Sequence, residues 1–370
     1  MLRDEATELI LRLAGTPPRD SQVRIGGDLL EGMPASLSSR FGDSRIFWIW
    51  DETVHGLWHE RLRQMGWSVP SDDEWILFPA SEPNKRLSEL EKLARRLVRS
   101  GADRCSVLVA VGGGVTGDLV GFLASIYMRG IPHCQVPTTL LAQVDSSIGG
   151  KTGVDLPEGK NLLGTFHQAR SIHMDIRFLE TLPEEEMRQG MAEAIKTAMI
   201  GDPLLWDFLE SESEAIRSRQ SEALLRIVTS CCRLKARVVE ADERESGYRM
   251  VLNLGHTIGH ALEKITGYTF RHGDAVAVGM AAAARISLHR GTFSATDLQR
   301  LERLCRFWNL PTTLPRQASP DELLAALSAD KKRLKGVNRF VLPRAIGEVD
   351  IRSDVAFEEV RKALAAMSSP

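Results

Sequence analysis

At 370 residues the chain is long for one hydrophobic core, so two domains are expected, each able to bury an interior of its own. With 47 basic against 49 acidic side chains and a net charge of −2, it offers no electrostatic footprint for nucleic acid or for an anionic membrane, so an anionic ligand has to be met by a local cluster of cations. The five cysteines form no CxxC pair, and Met1 to Glu5 begin no apolar leader, a pattern that reads as free thiols in a cytoplasmic protein.

Residues 1–20 form an extension whose one pattern is a helix-like run from Ala6 to Leu13, closed by Gly15 and Pro17-Pro18. Ser21 to Ile25 and Arg45 to Trp50 predict strands, the second followed by Asp51 and a helix from Val54 to Met65. Asp51, at the carboxyl end of its strand, suits a ribose hydroxyl and a helix N-cap equally well. Trp75 to Phe78 predicts a third strand, and Leu87 to Ser100 a helix with leucines on one stripe.

Val107 to Val111 then runs into Gly112-Gly113-Gly114, and a helix restarts around Val115 to Asp118. A strand that stops on glycines and yields to a helix leaves free N–H groups at a positive helix end, where a phosphate or pyrophosphate binds. The run is not GxGxxG, and by itself it is equally a plain turn. Asp118 falls in the expected first turn, as a cap or a ribose contact. Asp118 and the glycines also rule out Val107 to Ile126 as a membrane span.

Arg129-Gly130 leads into another strand, which turns at Pro137-Thr138-Thr139. A Gly-, Lys- and Asn-rich passage follows, from Asp145 through Lys151, Lys160 and Asn161 to Gly164. Strand alternating with helix this far predicts a parallel sheet covered on both faces. From Pro183 onward helices dominate: Glu184–Ile200, Ser221–Asp242, Thr257–Thr266, Asp274–His289 and Ala295–Trp308, with one short strand at Arg339–Pro343. The domain line is therefore expected near Pro183, dividing 21–182 from 183–370.

His256 and His260 lie four apart and share a helix face, a spacing used for zinc and also common in purely structural pairs. His272 and Glu193 supply further imidazole and carboxylate donors, and two histidines with one carboxylate would leave a coordination position open. Arg129, Lys151, Lys160, Lys196, Lys235, Arg249, Lys331 and Lys332 are each ordinary surface cations when read alone. A converging subset would bind a substrate with two anionic groups.

From Ser21 to about Arg352 the chain resembles the 3-dehydroquinate synthases, among the sugar phosphate cyclases. The stretches that carry the likeness are Gly112–Asp118, Pro137–Ser147, Gly150–Gly153, Gly159–Asn161, Leu252–His260 and Asp330–Lys332. The resemblance implies an α/β N-terminal domain with a parallel, Rossmann-like sheet, an all-α C-terminal domain, and an active site in the cleft between them. It implies zinc, or cobalt or another divalent ion, on Glu193, His256 and His272, with His260 beside the leaving phosphate rather than on the metal. It implies NAD held by Asp51, Glu82, Lys85, Gly113, Gly114, Val115, Asp118, Thr138, Thr139, Lys160 and Thr181. Substrate would be bound by Arg129, Asp145, Lys151, Asn161, Lys235, Arg249, Asn253 and Lys331, with Lys151, Asn161, Lys196, Lys235, Arg249 and His260 serving catalysis.

The family reaction converts 3-deoxy-arabino-heptulosonate 7-phosphate to 3-dehydroquinate and phosphate, within the shikimate pathway to aromatic amino acids. It proceeds by transient NAD oxidation, phosphate elimination, re-reduction and intramolecular aldol closure. Homodimers are usual in the family. Other cyclases, of amino-dehydroquinate, deoxy-inosose or valiolone type, and glycerol-dehydrogenase-like enzymes are the competing classes. Ser81, Asp155, Ala169 and Thr197 depart from common family residues without removing a proposed ligand.

Overall fold

The computed structural model describes residues 7–11, 20–67, 73–333 and 339–368. They form two compact units: residues up to Pro183 together with Ser221–Glu243, and Glu184–Gln220 together with Arg244 onward.

The first unit is built on a seven-stranded sheet. Its strands are β1 (Thr7–Leu11), β2 (Ser21–Gly26), β3 (Ile46–Asp51), β4 (Trp75–Phe78), β5 (Val107–Gly112), β6 (His133–Pro137) and β9 (Ser171–Asp175), in the order β1-β2-β9-β6-β5-β3-β4. β7 (Lys151–Leu156) and β8 (Gly159–Phe166) make a separate antiparallel hairpin. Every sheet pairing is parallel except β1 with β2. Such strands are buried on both faces, and all six residues of β5 are buried.

Alternation sorts β3 cleanly. Phe47 and Ile49 join Leu108, Ala110, Leu119 and Leu123 on one face, while Trp48 and Trp50 join Val109, Val111, Met33 and Phe178 on the other. The covering helices are α1 (Met33–Phe41), α2 (Glu52–Gln64), α3 (Leu87–Arg99) and α4 (Gly114–Ile126).

Two expectations change here. Within the run expected to be helical from Ala6 to Leu13, the described residues Thr7–Leu11 form a strand, paired in register with Ser21–Ile25 and covering an edge of β2 that would otherwise leave its backbone groups unpaired. And the chain returns to the first unit after the expected boundary at Pro183. After α5 (Glu184–Gly201), α6 (Pro203–Ser211) and α7 (Ser213–Arg217), helix α8 (Ser221–Ala241) packs beside β2 and a π-turn at Ala142–Ser146. Its Cys232 Sγ lies 3.2 Å from Gln143 O and 3.5 Å from Met174 Sδ.

The second unit holds α5 to α7, α9 (His256–Ile265), α10 (His272–His289), α11 (Ala295–Phe307), α12 (Pro320–Arg333) and α13 (Phe357–Ala365). It also carries an antiparallel hairpin of β10 (Phe340–Ala345) and β11 (Glu348–Arg352), so it is mainly rather than wholly helical. α10 is its core: nearly every residue from Gly273 to Ser287 is buried, as expected of a helix apolar all round. Among the described residues no helix is long and apolar enough to cross a membrane.

Candidate active site

In the first unit, β3, β5 and β6 are neighbours, and their carboxyl ends bring Asp51, Gly112–Gly114 and Thr138–Thr139 to one edge of the sheet. Gly113 is the N-cap of α4 and supplies no side-chain cap. A Cβ on Gly113 would meet Thr139 Cγ2 at 3.0 Å, and one on Gly114 would meet Ser146 Oγ at 3.0 Å. The bare backbone and uncapped helix start suit the pyrophosphate of a dinucleotide. The helix begins at Gly114, earlier than expected, so Asp118 sits in the second turn and cannot cap it.

Asp118 instead meets Lys85. Buried Lys85 donates through Nζ to Asp118 Oδ2 and to Asn161 Oδ1, both at 2.6 Å. Burial works against the ammonium, but the carboxylate of Asp118, with those of Glu82 and Asp155, outweighs it and lifts Lys85 above its ordinary value. Asn161 reaches this cluster from the start of β8 with a left-handed φ of 53°, which asparagine tolerates. Its N–H donates to Asp155 Oδ1 at 2.7 Å, so the aspartate noted as a departure ties β8 to β7 where Asn161 leaves the regular strand conformation. Lys160 pairs with Glu82 at 3.1 Å.

Asp145, on the π-turn, accepts from Lys235 Nζ at 2.5 Å. That contact is one of those that hold α8 with the sheet. Asp51 caps α2, accepting from Thr53 N at 2.8 Å, and burial raises its pKa. Thr181 Oγ1 accepts from Trp58 Nε1 at 2.8 Å. Thr138 is buried with no hydrogen bond to its hydroxyl, and Val115 lies in the first turn of α4. Lys151 opens β7 on the surface, and Arg129 lies in an exposed turn with φ 71°.

The second unit gathers the proposed metal ligands. Glu193 and Lys196 lie on α5, while His256 and His272 each open a helix, α9 and α10. Gly255, Gly259 and Gly279 let α9 and α10 touch: a Cβ on Gly279 would lie 1.9 Å from Gly255 O. Gly273 does the same against α5, where a Cβ would meet Gln189 Cα at 2.8 Å. Three helix backbones in near contact bring one donor atom each of Glu193, His256 and His272 within 4.8 Å of one another.

His272 Nε2 and His256 Nε2 face Glu193 Oε1 at 3.2 and 3.7 Å. Buried Glu193 also meets Lys196, yet neither of its carboxylate oxygens makes an aligned hydrogen bond. Burial would raise the Glu193 pKa, but Lys196 and the imidazoles outweigh it and hold the carboxyl well below its usual range. His256 Nδ1 donates to Leu254 O at 3.1 Å, leaving Nε2 a lone pair, and burial pushes its pKa down to about 3. His272 is opposed by burial but carried up to about 10 by Glu193 and Glu263. Two imidazoles and an underbonded carboxylate fit a divalent cation such as zinc or cobalt.

A second donor set, His260, Glu263 and His272, shares His272 with the first. Arg249 is buried on the Tyr248–Asn253 turn, and Asn253 Nδ2 donates to Glu245 Oε1 at 2.6 Å. The side chain of Lys331, in the last turn of α12, lies outside the described residues. Sequence reasoning missed Glu263 and the three crossing glycines. Glu263 was reachable, since it follows His256 by seven residues and so shares its helix face.

One unit built on a mainly parallel sheet with a bare-backboned helix start, and one helical unit with a two-histidine, one-carboxylate donor set, are the parts of the class of enzymes that includes the sugar phosphate cyclases. The structure is similar to 2-epi-5-epi-valiolone synthase from Streptomyces hygroscopicus, solved with NAD+ and Zn2+ bound (TM-score 0.86, 30% identity, 96% of this chain and 99% of that one). It is also similar to a 2-deoxy-scyllo-inosose synthase complexed with carbaglucose-6-phosphate, NAD+ and Co2+ (TM-score 0.83, 26% identity, 98% and 100%). The N-terminal model of 3-dehydroquinate synthase matches residues 75–189 and the C-terminal model residues 190–333. A 3-dehydroquinate synthase from Desulforamulus reducens is 42% identical over 91% of this chain and 94% of its own. The chain belongs to the 3-dehydroquinate synthase family.

Proposed function

We propose that this protein converts 3-deoxy-arabino-heptulosonate 7-phosphate to 3-dehydroquinate and phosphate in the cytoplasm, as a homodimer dependent on NAD and a divalent cation, zinc first among them. The observation that carries the reading is the donor set of Glu193, His256 and His272, brought together by α5, α9 and α10 in a chain of this family. Two cyclases of other specificity share the fold at 30% and 26% identity, below the 42% of the dehydroquinate synthase relative, so the dehydroquinate reading is preferred.

Bound NAD would supply a reversible hydride acceptor, and the divalent cation an acid that polarises hydroxyl oxygens. The chain's own residues do the rest. Gly113, Gly114 and Val115 would receive the pyrophosphate on α4, with Asp51, Glu82, Lys85, Asp118, Thr138, Thr139, Lys160 and Thr181 completing the NAD site. Glu193, His256 and His272 would hold the cation. Arg129, Lys151, Lys196, Lys235, Arg249 and Lys331 would neutralise the substrate's carboxylate and phosphate, and Asp145 and Asn253 would orient its hydroxyls. His260 and Asn161 would attend the departing phosphate and the proton that moves with it.

The test is phosphate release from the heptulosonate phosphate by zinc-loaded protein with catalytic NAD, with identification of the organic product. Dehydroquinate formed without net NADH is expected. A folded sample that binds zinc and NAD yet does not turn over this substrate refutes the assignment. Turnover of another heptulose phosphate would move it to a different cyclase, and accumulating NADH to a dehydrogenase.

A further inference from the structure

We propose that Glu263 is the positioning residue for His272: its carboxylate holds Nδ1 of the imidazole and so fixes the nitrogen that His272 turns toward the cation. The inference rests on the cation-site reading above and concerns a residue that reading leaves without a role.

Glu263 is 2% exposed, on the face of α9 that also carries His256 and His260. A carboxylate so deeply buried needs a partner within the protein. Its Oε2 faces His272 Nδ1 at 3.6 Å, while the opposite ring nitrogen, Nε2, faces Glu193 Oε1 at 3.2 Å. The ring therefore stands between carboxylates from two helices, one to each nitrogen. An imidazole that offers Nε2 to a cation must carry its proton on Nδ1, and the carboxylate facing that nitrogen is Glu263, at a separation just beyond a hydrogen bond. His256 is held in the same sense by different means, through Nδ1 to Leu254 O at 3.1 Å. Both histidines thus present Nε2 to Glu193 with Nδ1 turned to an oxygen of the protein.

His260, Glu263 and His272 also lie close enough to one another to hold a cation themselves. That alternative would use His272 Nδ1, leaving the ring to bridge two ions. One nitrogen per carboxylate favours the positioning role, and the experiment separates the two.

Full-length protein and its E263Q, E263A and E263D variants are loaded with zinc, assayed for metal content, and titrated with a chromophoric chelator. Circular dichroism and thermal melting monitor the fold. One zinc per chain is expected throughout, with the dissociation constant raised about 10- to 100-fold in E263Q and E263A and partly restored in E263D. E263Q preserves side-chain volume and carries the test if E263A does not fold. Native zinc affinity in a folded E263Q overturns the proposal. So does a native stoichiometry of two ions that falls to one in E263Q, which would make Glu263 a ligand. A native protein that binds no zinc removes the cation-site reading and this inference with it, whereas tight native binding unaffected by the variants removes this inference alone.

Discussion

Replacing Gly279 by alanine perturbs the cation site from a residue that touches no ligand. A Cβ at this position would lie 1.9 Å from Gly255 O, 2.7 Å from Gly255 C and 2.9 Å from Gly255 Cα. All three atoms are backbone, so no side chain can swing aside. Reaching even 3.4 Å, the short limit of ordinary contact, requires α9 and α10 to part by about 1.5 Å at their crossing. Gly255 immediately precedes His256, and its carbonyl accepts the first hydrogen bond of α9, from Gly259 N at 2.9 Å.

The displacement therefore passes directly to His256, relative to His272 at the head of α10. Metal–ligand distances tolerate only about 0.2 Å. A fall in zinc affinity of roughly 100-fold or more is expected, together with an overpacking cost of about 3 kcal/mol. That cost corresponds to a melting temperature roughly 6–12 °C lower for a unit of this size. Chelator competition and thermal melting measure both. Gly291→Ala is the control: its φ of +71° makes alanine strained, but the space around it is open. It should cost about 1 kcal/mol and leave zinc affinity unchanged. G279A with native zinc affinity and a native melting temperature would refute the argument.

Three further outcomes are expected. Glu193→Gln removes the charge that balances Lys196 and faces both imidazoles, so zinc should dissociate at least about 100-fold more readily, as read by metal content after dialysis. Lys85→Met leaves Asp118 and Asn161 without their shared donor; about 3 kcal/mol of stability should be lost, with weaker NAD binding by fluorescence titration, and native NAD affinity would remove Lys85 from that site. The His133 imidazole is fully buried with no hydrogen bond to either ring nitrogen, and burial pushes its pKa down to about 3. The unfolded chain binds that proton near pH 6.5, so stability is complete above this value and falls as pH drops toward 3, at roughly 1.4 kcal/mol per pH unit. Urea unfolding at pH 7 and pH 5 should show the slope, and His133→Phe should lessen it.

Much of this molecule follows from local pattern. The continuous apolar run at Val107–Val111 is a strand because a strand buried on both faces needs nothing else, and Gly112–Gly114 mark the place where the backbone must stay bare. The histidine spacing on α9 marks candidate cation donors, the family resemblance picks out Glu193, His256 and His272 among them, and the fold brings one donor atom of each of these three within 4.8 Å of the others. Family motifs supplied the roles that spacing alone left open, since His256 and His260 are equivalent by periodicity.

Tertiary structure decided what depends on distant partners. Thr7–Leu11 has no local reason to be extended; it is a strand because the edge of β2 accepts it. α8 reads like any helix of the second unit, and it is distant partners that draw it to the sheet, among them Asp145, 90 residues from Lys235 in sequence, and Gln143 and Met174 against Cys232. The glycines of α9 and α10 look like weak helix formers until the two backbones are seen in contact, and Glu263 looks like a surface charge until α10 lays His272 across it. Periodicity assigns a residue to a face of its own element. Which element covers that face is set by the packing of the whole chain, and at this site that packing selects the chemistry.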